Sequence, residues 1–122
     1  MINNIAIKEW ESAIDNRNLK LIKSVYCKDA VLMATFAKLE KIGIAEITPY
    51  FINLFKKPDL QVRFITYKTQ KFGNVEVLSG QYIFSYKGLL NVVRSIPARY
   101  TFVTHTTSRG TKIVNHHSSL TP

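Results

Sequence analysis

The sequence predicts an α+β fold, with N-terminal helices packed on one side of a curved antiparallel sheet. Two observations predict it. Up to Pro58 the apolar residues recur mainly at helical spacing, and beyond it they fall in four long runs rich in Val, Ile, Thr, Phe and Tyr. Helices first and a strand meander afterwards give segregated layers. No linker, repeat or low-complexity tract divides the chain, so residues 1–122 read as one domain, large enough to bury a core without disulfides.

In order, Ile5, Ala6, Trp10, Ala13 and Ile14 place an amphipathic helix over residues 2–16, and Asp15-Asn-Arg-Asn18 ends it. Asn18 suits the N-cap of a short second helix carrying Leu19, Ile22 and Tyr26. Residues 30–34 form a short apolar strand. Gly43 opens a third helical stretch reaching Phe55, with Ile47, Phe51, Leu54 and Phe55 on one side. Pro49 either starts the main part of that helix or kinks it. Lys56 and Lys57 complement the negative end of the helix dipole, and Pro58 stops the helix. Strands are expected over 60–71, 75–87, 90–107 and 111–121, joined by turns at Phe72-Gly-Asn74, Tyr86-Lys-Gly88 and Ser108-Arg-Gly110. Pro97 falls in mid-strand, which predicts a bulge or bend there.

Composition narrows the function classes. Seventeen Lys and Arg against eight Asp and Glu give a formal charge of +9, which permits attraction to anions. The basic residues are dispersed, however, and no nucleic-acid motif of defined spacing occurs, so nucleic acid is not an expected partner. No apolar run approaches the roughly 20 residues of a membrane span. The N-terminus lacks the pattern of a signal peptide, and one cysteine, Cys27, makes no internal disulfide, so a cytoplasmic location is expected. No dinucleotide or phosphate-loop fingerprint is present, and no cofactor is expected.

The polar residues with most chemical potential lie in the last two strands. Alternation puts His116 and Ser118 on one face of the last strand and Asn115, His117 and Ser119 on the other. In the strand before it, Tyr100 and Phe102 share a face opposite Arg99, Thr101, Val103 and His105. Adjacent strand histidines point oppositely, and no Cys or carboxylate has ligand spacing with them, so no metal site is expected. Asp15, Asp29 and Asp59 fall in turn contexts that favour capping or solvation, and Glu76 lies near an exposed strand start. Tyr82 and Tyr26 are possible hydrogen-bond donors, and Trp10 reads as a core anchor.

The order of elements, with Trp10, the Gly43 to Pro58 stretch, Gly80-Gln-Tyr-Ile-Phe84, Ala98-Arg-Tyr-Thr-Phe-Val103 and Lys112-Ile-Val-Asn-His-His-Ser-Ser119, resembles the nuclear transport factor 2-like superfamily. It is most similar to the association (hub) domain of calcium/calmodulin-dependent protein kinase II and to stand-alone bacterial SnoaL-like relatives. The resemblance implies a cone-shaped α+β fold, a pocket between sheet and helices, and assembly into a homodimer or larger ring through the sheet. It assigns Tyr82, Phe102, His116 and Ser118 to the pocket. Three of these, Tyr82, Phe102 and Ser118, stand where the hub carries arginines. Arg99 is the fifth ligand-binding candidate. Alternation places it outside, and a bulge after Pro97 would turn it inward, where it could hold a carboxylate. The expected function is therefore a homo-oligomerising, small-ligand-binding module. The alternative is a SnoaL-like cyclase, isomerase or dehydratase acting on a small organic substrate, with His116 as base and Tyr82 or Arg99 as donor.

Overall fold

A computed structural model describes residues 2–122. The helices are α1 (Ile5–Asn16), α2 (Leu19–Val25) and α3 (Gly43–Leu54). The strands are β1 (Tyr26–Met33), β2 (Lys41–Ile42), β3 (Gln61–Phe72), β4 (Val75–Lys87), β5 (Val93–Thr107) and β6 (Gly110–Leu120). They form one sheet in the order β2-β1-β6-β5-β4-β3, curved into a cone around the helices. Strands β3 to β6 are the expected antiparallel meander, but the sheet is mixed, because β1 lies parallel to β6. That pairing joins residues 84 to 87 positions apart in the chain, and the local pattern of β1 does not encode its direction.

Asparagine caps fix both N-terminal helices. The Asn4 carboxamide oxygen accepts from Ile7 N–H (3.2 Å), while its Nδ2 donates to Thr104 Oγ1 on β5 (2.8 Å) and Glu76 Oε1 on β4 (3.3 Å). Asn18 caps α2 as the sequence predicts, accepting from Leu21 N–H at 3.0 Å. Tyr26, expected on α2, instead begins β1. Asp15 lies within α1, where it accepts from Val62 N–H (2.9 Å) and ties α1 to β3. Pro49 neither starts nor ends α3 but sits inside it, on the exposed side, four residues after exposed Ala45. The Ala45 carbonyl that proline leaves without an N–H partner therefore faces water, which makes the position tolerable.

The core forms where the helices meet the concave face of the sheet. Ala6, Ile7, Trp10, Ala13 and Ile14 of α1 and Ile47, Phe51 and Leu54 of α3 are buried against Leu78, Tyr82, Phe84, Ala98, Tyr100, Phe102 and Ile113. Trp10 stacks on Tyr82 (5.7 Å) and meets Phe102 edge to face (5.1 Å), in the anchoring place its sequence position suggests. The convex face, carrying Ser79, Thr101, Val103 and His117, has no helix over it.

The expected distortion at Pro97 is absent. Pro97 pairs in register with Ile83, and the β6 ladder ends at Leu120 opposite Ala98; beyond it Thr121 N–H donates to the Pro97 carbonyl (3.0 Å), a bond that does not need the N–H proline lacks. The irregularities fall elsewhere. Ile65 is an extra residue on β3 between the Phe64–Tyr82 and Thr66–Gln81 pairs. This bulge swings the Thr66 carbonyl over Gly80, so that a Cβ there would sit 2.0 Å from the oxygen; only glycine fits. A second bulge lies on β6 at Val114, which has no partner between Thr104–Ile113 and Val103–Asn115.

Candidate functional site

Four of the five ligand-binding candidates meet inside the cone. Tyr82, Phe102, His116 and Ser118 are all buried, on three adjacent strands. Register explains the meeting: Phe102 pairs with His116 and Tyr100 with Ser118, and alternation aims these side chains inward. The His116 ring lies flat on Phe102, centroids 3.9 Å apart, with Trp10 edge-on at 5.3 Å. Arg99 is not part of this group. With no bulge at Pro97, it stays exposed on the convex face, opposite Gln81 and Ser119, away from the cone interior. His117 is exposed on that same face, as alternation predicts.

The buried polar atoms form one continuous hydrogen-bonded chain. Trp10 Nε1 donates to Tyr26 Oη (3.1 Å), which lies 2.8 Å from His116 Nδ1. His116 Nε2 lies 3.1 Å from Tyr82 Oη, Tyr82 donates to Ser118 Oγ (2.6 Å), and Ser118 meets Thr35 Oγ1 in the loop after β1. The indole fixes the direction, because Trp10 can only donate. Tyr26 Oη accepts that proton and must spend its own on Nδ1, the one acceptor in reach. His116 is therefore the Nε2–H tautomer and donates to Tyr82, which passes its proton on to Ser118. Among the described residues no buried side-chain polar atom lacks a partner.

Electrostatics agree with a neutral interior. The His116 pKa is pulled down to about 3, first by burial and then by neighbouring His117. Burial raises the Tyr26 hydroxyl well above its usual value, with Tyr82 a lesser cause. Burial likewise raises Tyr82, against the lowering hydrogen bond with Ser118. Tyr50, beside the Phe36 main chain at the rim, is also raised by burial.

The remaining space is small. A crevice lined by Trp10, Thr35, Tyr50, Tyr82, His116 and Ser118 leaves about 10 Å³, room for one water at most. Phe84, which also lines it, meets Phe36 edge-on (5.7 Å), and the Lys57 ammonium lies over the Phe36 ring at 5.4 Å. Both His116 nitrogens are occupied, so in this closed form the imidazole is a link in a relay rather than a free base. Thr35 is the site residue that sequence reading misses. It lies in a loop with no periodicity, and only the fold brings it to Ser118. Glu76, weighed as a carboxylate candidate, is spent on Asn4. Among the described residues no cluster of His, Cys, Asp and Glu has metal-binding geometry.

No family model matches the sequence, and neither does any curated protein. Solved structures do match. A protein from Xanthomonas campestris described as a calcium/calmodulin-dependent protein kinase II association domain is 25% identical, with a TM-score of 0.87 over 95% of this chain and 83% of its own. A Streptomyces avermitilis protein assigned as a dehydratase of the nuclear transport factor 2-like family is 12% identical, with a TM-score of 0.87 over 97% of this chain and 92% of its own. A ketosteroid isomerase-like protein from Erwinia carotovora is 15% identical, with a TM-score of 0.78 over 96% and 92%. With its helices held in a curved six-stranded sheet, the chain has the cone-shaped fold of the nuclear transport factor 2-like superfamily.

Proposed function

We propose that the chain is a homo-oligomerising, small-ligand-binding module that pairs with a second copy through the convex face of its sheet. The observation that carries this reading is the contrast between the two faces. The concave face is filled to about 10 Å³, whereas the convex face of four long strands lies bare. Its side chains are short near the middle, where Val77 pairs with Val103, Ser79 with Thr101 and Thr101 with His117. A second sheet can therefore approach to the roughly 10 Å of face-to-face packing. The likeness to a protein described as an association domain supports the same assignment.

Light scattering coupled to gel filtration tests it. The wild type should elute as a dimer or larger at micromolar concentration, and Val103→Glu, which sets two like charges across the symmetric contact, should elute as a monomer with unchanged circular dichroism. A wild-type monomer at every concentration refutes the reading.

Small-ligand binding rests on the crevice. Its polar chain ends at Ser118 and Thr35, and at about 10 Å³ the crevice must widen before a ligand reaches His116 and Tyr82. Trp10 is the sole tryptophan and lines the crevice, so its fluorescence should report binding of small aromatic or carbonyl compounds. An unresponsive Trp10 across such a panel, with no thermal shift, removes this part. A cyclase, isomerase or dehydratase activity ranks second, because a base near pH 7 needs a His116 pKa far above about 3.

A further inference from the structure

A wide groove lies outside the cone, and we propose that it binds a small organic phosphate with an apolar body. It is an open groove of about 610 Å³, within the range of small-molecule sites. The fold builds it at one residue. Val114 is the bulged residue of β6 on the β5 side, and on the other side four residues of β1 (27–30) lie opposite it alone, between the Tyr26–Ile113 and Val31–Asn115 pairs. Both ladders of β6 therefore break at Val114. The β1 segment lifts away and rests its Lys28 carbonyl against Gly43, which has φ +78° and would place a Cβ 3.2 Å from that oxygen. Bulges that break pairing and re-aim side chains recur beside binding sites.

The side chains gathered there have one chemistry. Ile44 and Val114 give the groove apolar wall, and Lys23, Lys28, Arg109 and Lys112 surround it, with the hydroxyls of Ser24, Thr107 and Ser108 between them. No carboxylate lines the groove, and among the described residues none of these four cations is in an ion pair. The Lys112 ammonium is held in place by the Ser24 carbonyl across the groove. Four cations around one groove recognise an anion of high charge density, and the hydroxyls of Thr107 and Ser108 add donors suited to phosphate oxygens, while that of Ser24 donates to the Leu21 carbonyl. The apolar wall recognises a ring or chain attached to it.

Titration of the ¹⁵N-labelled protein with phenyl phosphate, inorganic phosphate and benzyl alcohol tests the proposal. Phenyl phosphate should shift the amides of residues 23–28 and 105–114, saturate, and bind more tightly than either half alone. Lys28→Glu with Arg109→Glu replaces two exposed groove cations and should weaken it at least tenfold, which is about 1.4 kcal/mol. Lys68→Glu with Lys71→Glu, on β3, removes the same charge elsewhere and should leave binding unchanged. Equal weakening by both pairs, shifts spread over every basic surface, or no saturable binding overturns the proposal. So does a single-stranded oligonucleotide that binds while phenyl phosphate does not.

Discussion

Tyr26→Phe removes one oxygen from the middle of the buried polar chain, and the structure says what it leaves behind. Trp10 Nε1–H loses its acceptor and His116 Nδ1 its donor. Both residues are essentially sealed from solvent, at 1% and 2% exposed. Each orphaned group costs roughly 1–3 kcal/mol, offset in part because the phenol hydroxyl no longer needs desolvation, for a net loss of about 3 kcal/mol. The small crevice is lined by Tyr82 and Ser118 but not by Tyr26, so the lost hydroxyl leaves no preformed water space at its own position on the concave side. Tyr82→Phe is the informative comparison. It breaks the same number of links, but the crevice adjoins the lost hydroxyl, so one water can bridge His116 Nε2 and Ser118 Oγ. Its cost should be nearer 1 kcal/mol.

Urea denaturation of the two variants measures the difference, with m values checked for equality. By heat, unfolding entropy of about 2.1 cal/mol/K per residue over 122 residues converts 3 kcal/mol to a fall in Tm of about 12 °C, and 1 kcal/mol to about 4 °C. All proteins are compared at one concentration, because a self-associating chain has a concentration-dependent Tm. A Tyr26→Phe loss below 1 kcal/mol, or a larger loss for Tyr82→Phe, would refute the directed chain and with it the Nε2–H assignment of His116.

The same histidine sets a pH dependence. With a folded pKa of about 3 against 6.5 for the free imidazole, the unfolded chain binds more protons between those values, so stability is full above pH 6.5 and falls as the pH drops toward 3. About 2 kcal/mol should be lost between pH 7 and pH 5, and His116→Gln should flatten that slope in urea titrations at the two pH values. Glu11 and Asp15, both raised chiefly by burial, act in the opposite sense just above their usual 4.5 and 3.8, which is why the variant and not the raw curve is the readout. Gly80→Ala should lower stability by about 2 kcal/mol or more, since a Cβ 2.0 Å from the Thr66 carbonyl must displace backbone; a neutral result by denaturation would mean that the β3 bulge moves freely. Asn4→Ala removes the α1 cap and both links to the sheet, and should lower stability by about 1–2 kcal/mol, read in the same experiment.

What the sequence made legible follows from how far each signal reaches along the chain. Strand alternation needs only neighbours, and it sets His116 and Ser118 on the face opposite His117 without reference to the rest of the molecule; which face is the inner one comes from the family resemblance. The asparagine cap at residue 18 and the turns at 72–74 and 108–110 are equally local. Tyr26 failed for the opposite reason. Its spacing from Leu19 and Ile22 is helical, but hydrogen bonding to Trp10 and His116, residues 16 and 90 positions away, needs it at the head of a strand. Pro97 misled because proline announces a missing donor but not whether the neighbouring strand needs it; that depends on where β6 stops.

Val114 shows the limit most plainly. It carries no glycine or proline signal, and its β-branched side chain suits an unbroken strand. The bulge arises because β6 must satisfy two neighbours of different origin: β5, whose register the Ser108-Arg-Gly110 turn sets, and β1, whose approach α2 and α3 set. One extra residue absorbs the mismatch between those constraints. The cost is a gap in both ladders, and the gap is where the basic side chains of α2, β1 and the β5–β6 hairpin converge on an open groove. A charge of +9 that looks dispersed along the sequence is locally concentrated in space at that point, because the bulge brings together cations from positions 23, 28, 109 and 112. Composition alone could neither locate nor exclude such a site, since the convergence is a property of the mismatch between two registers.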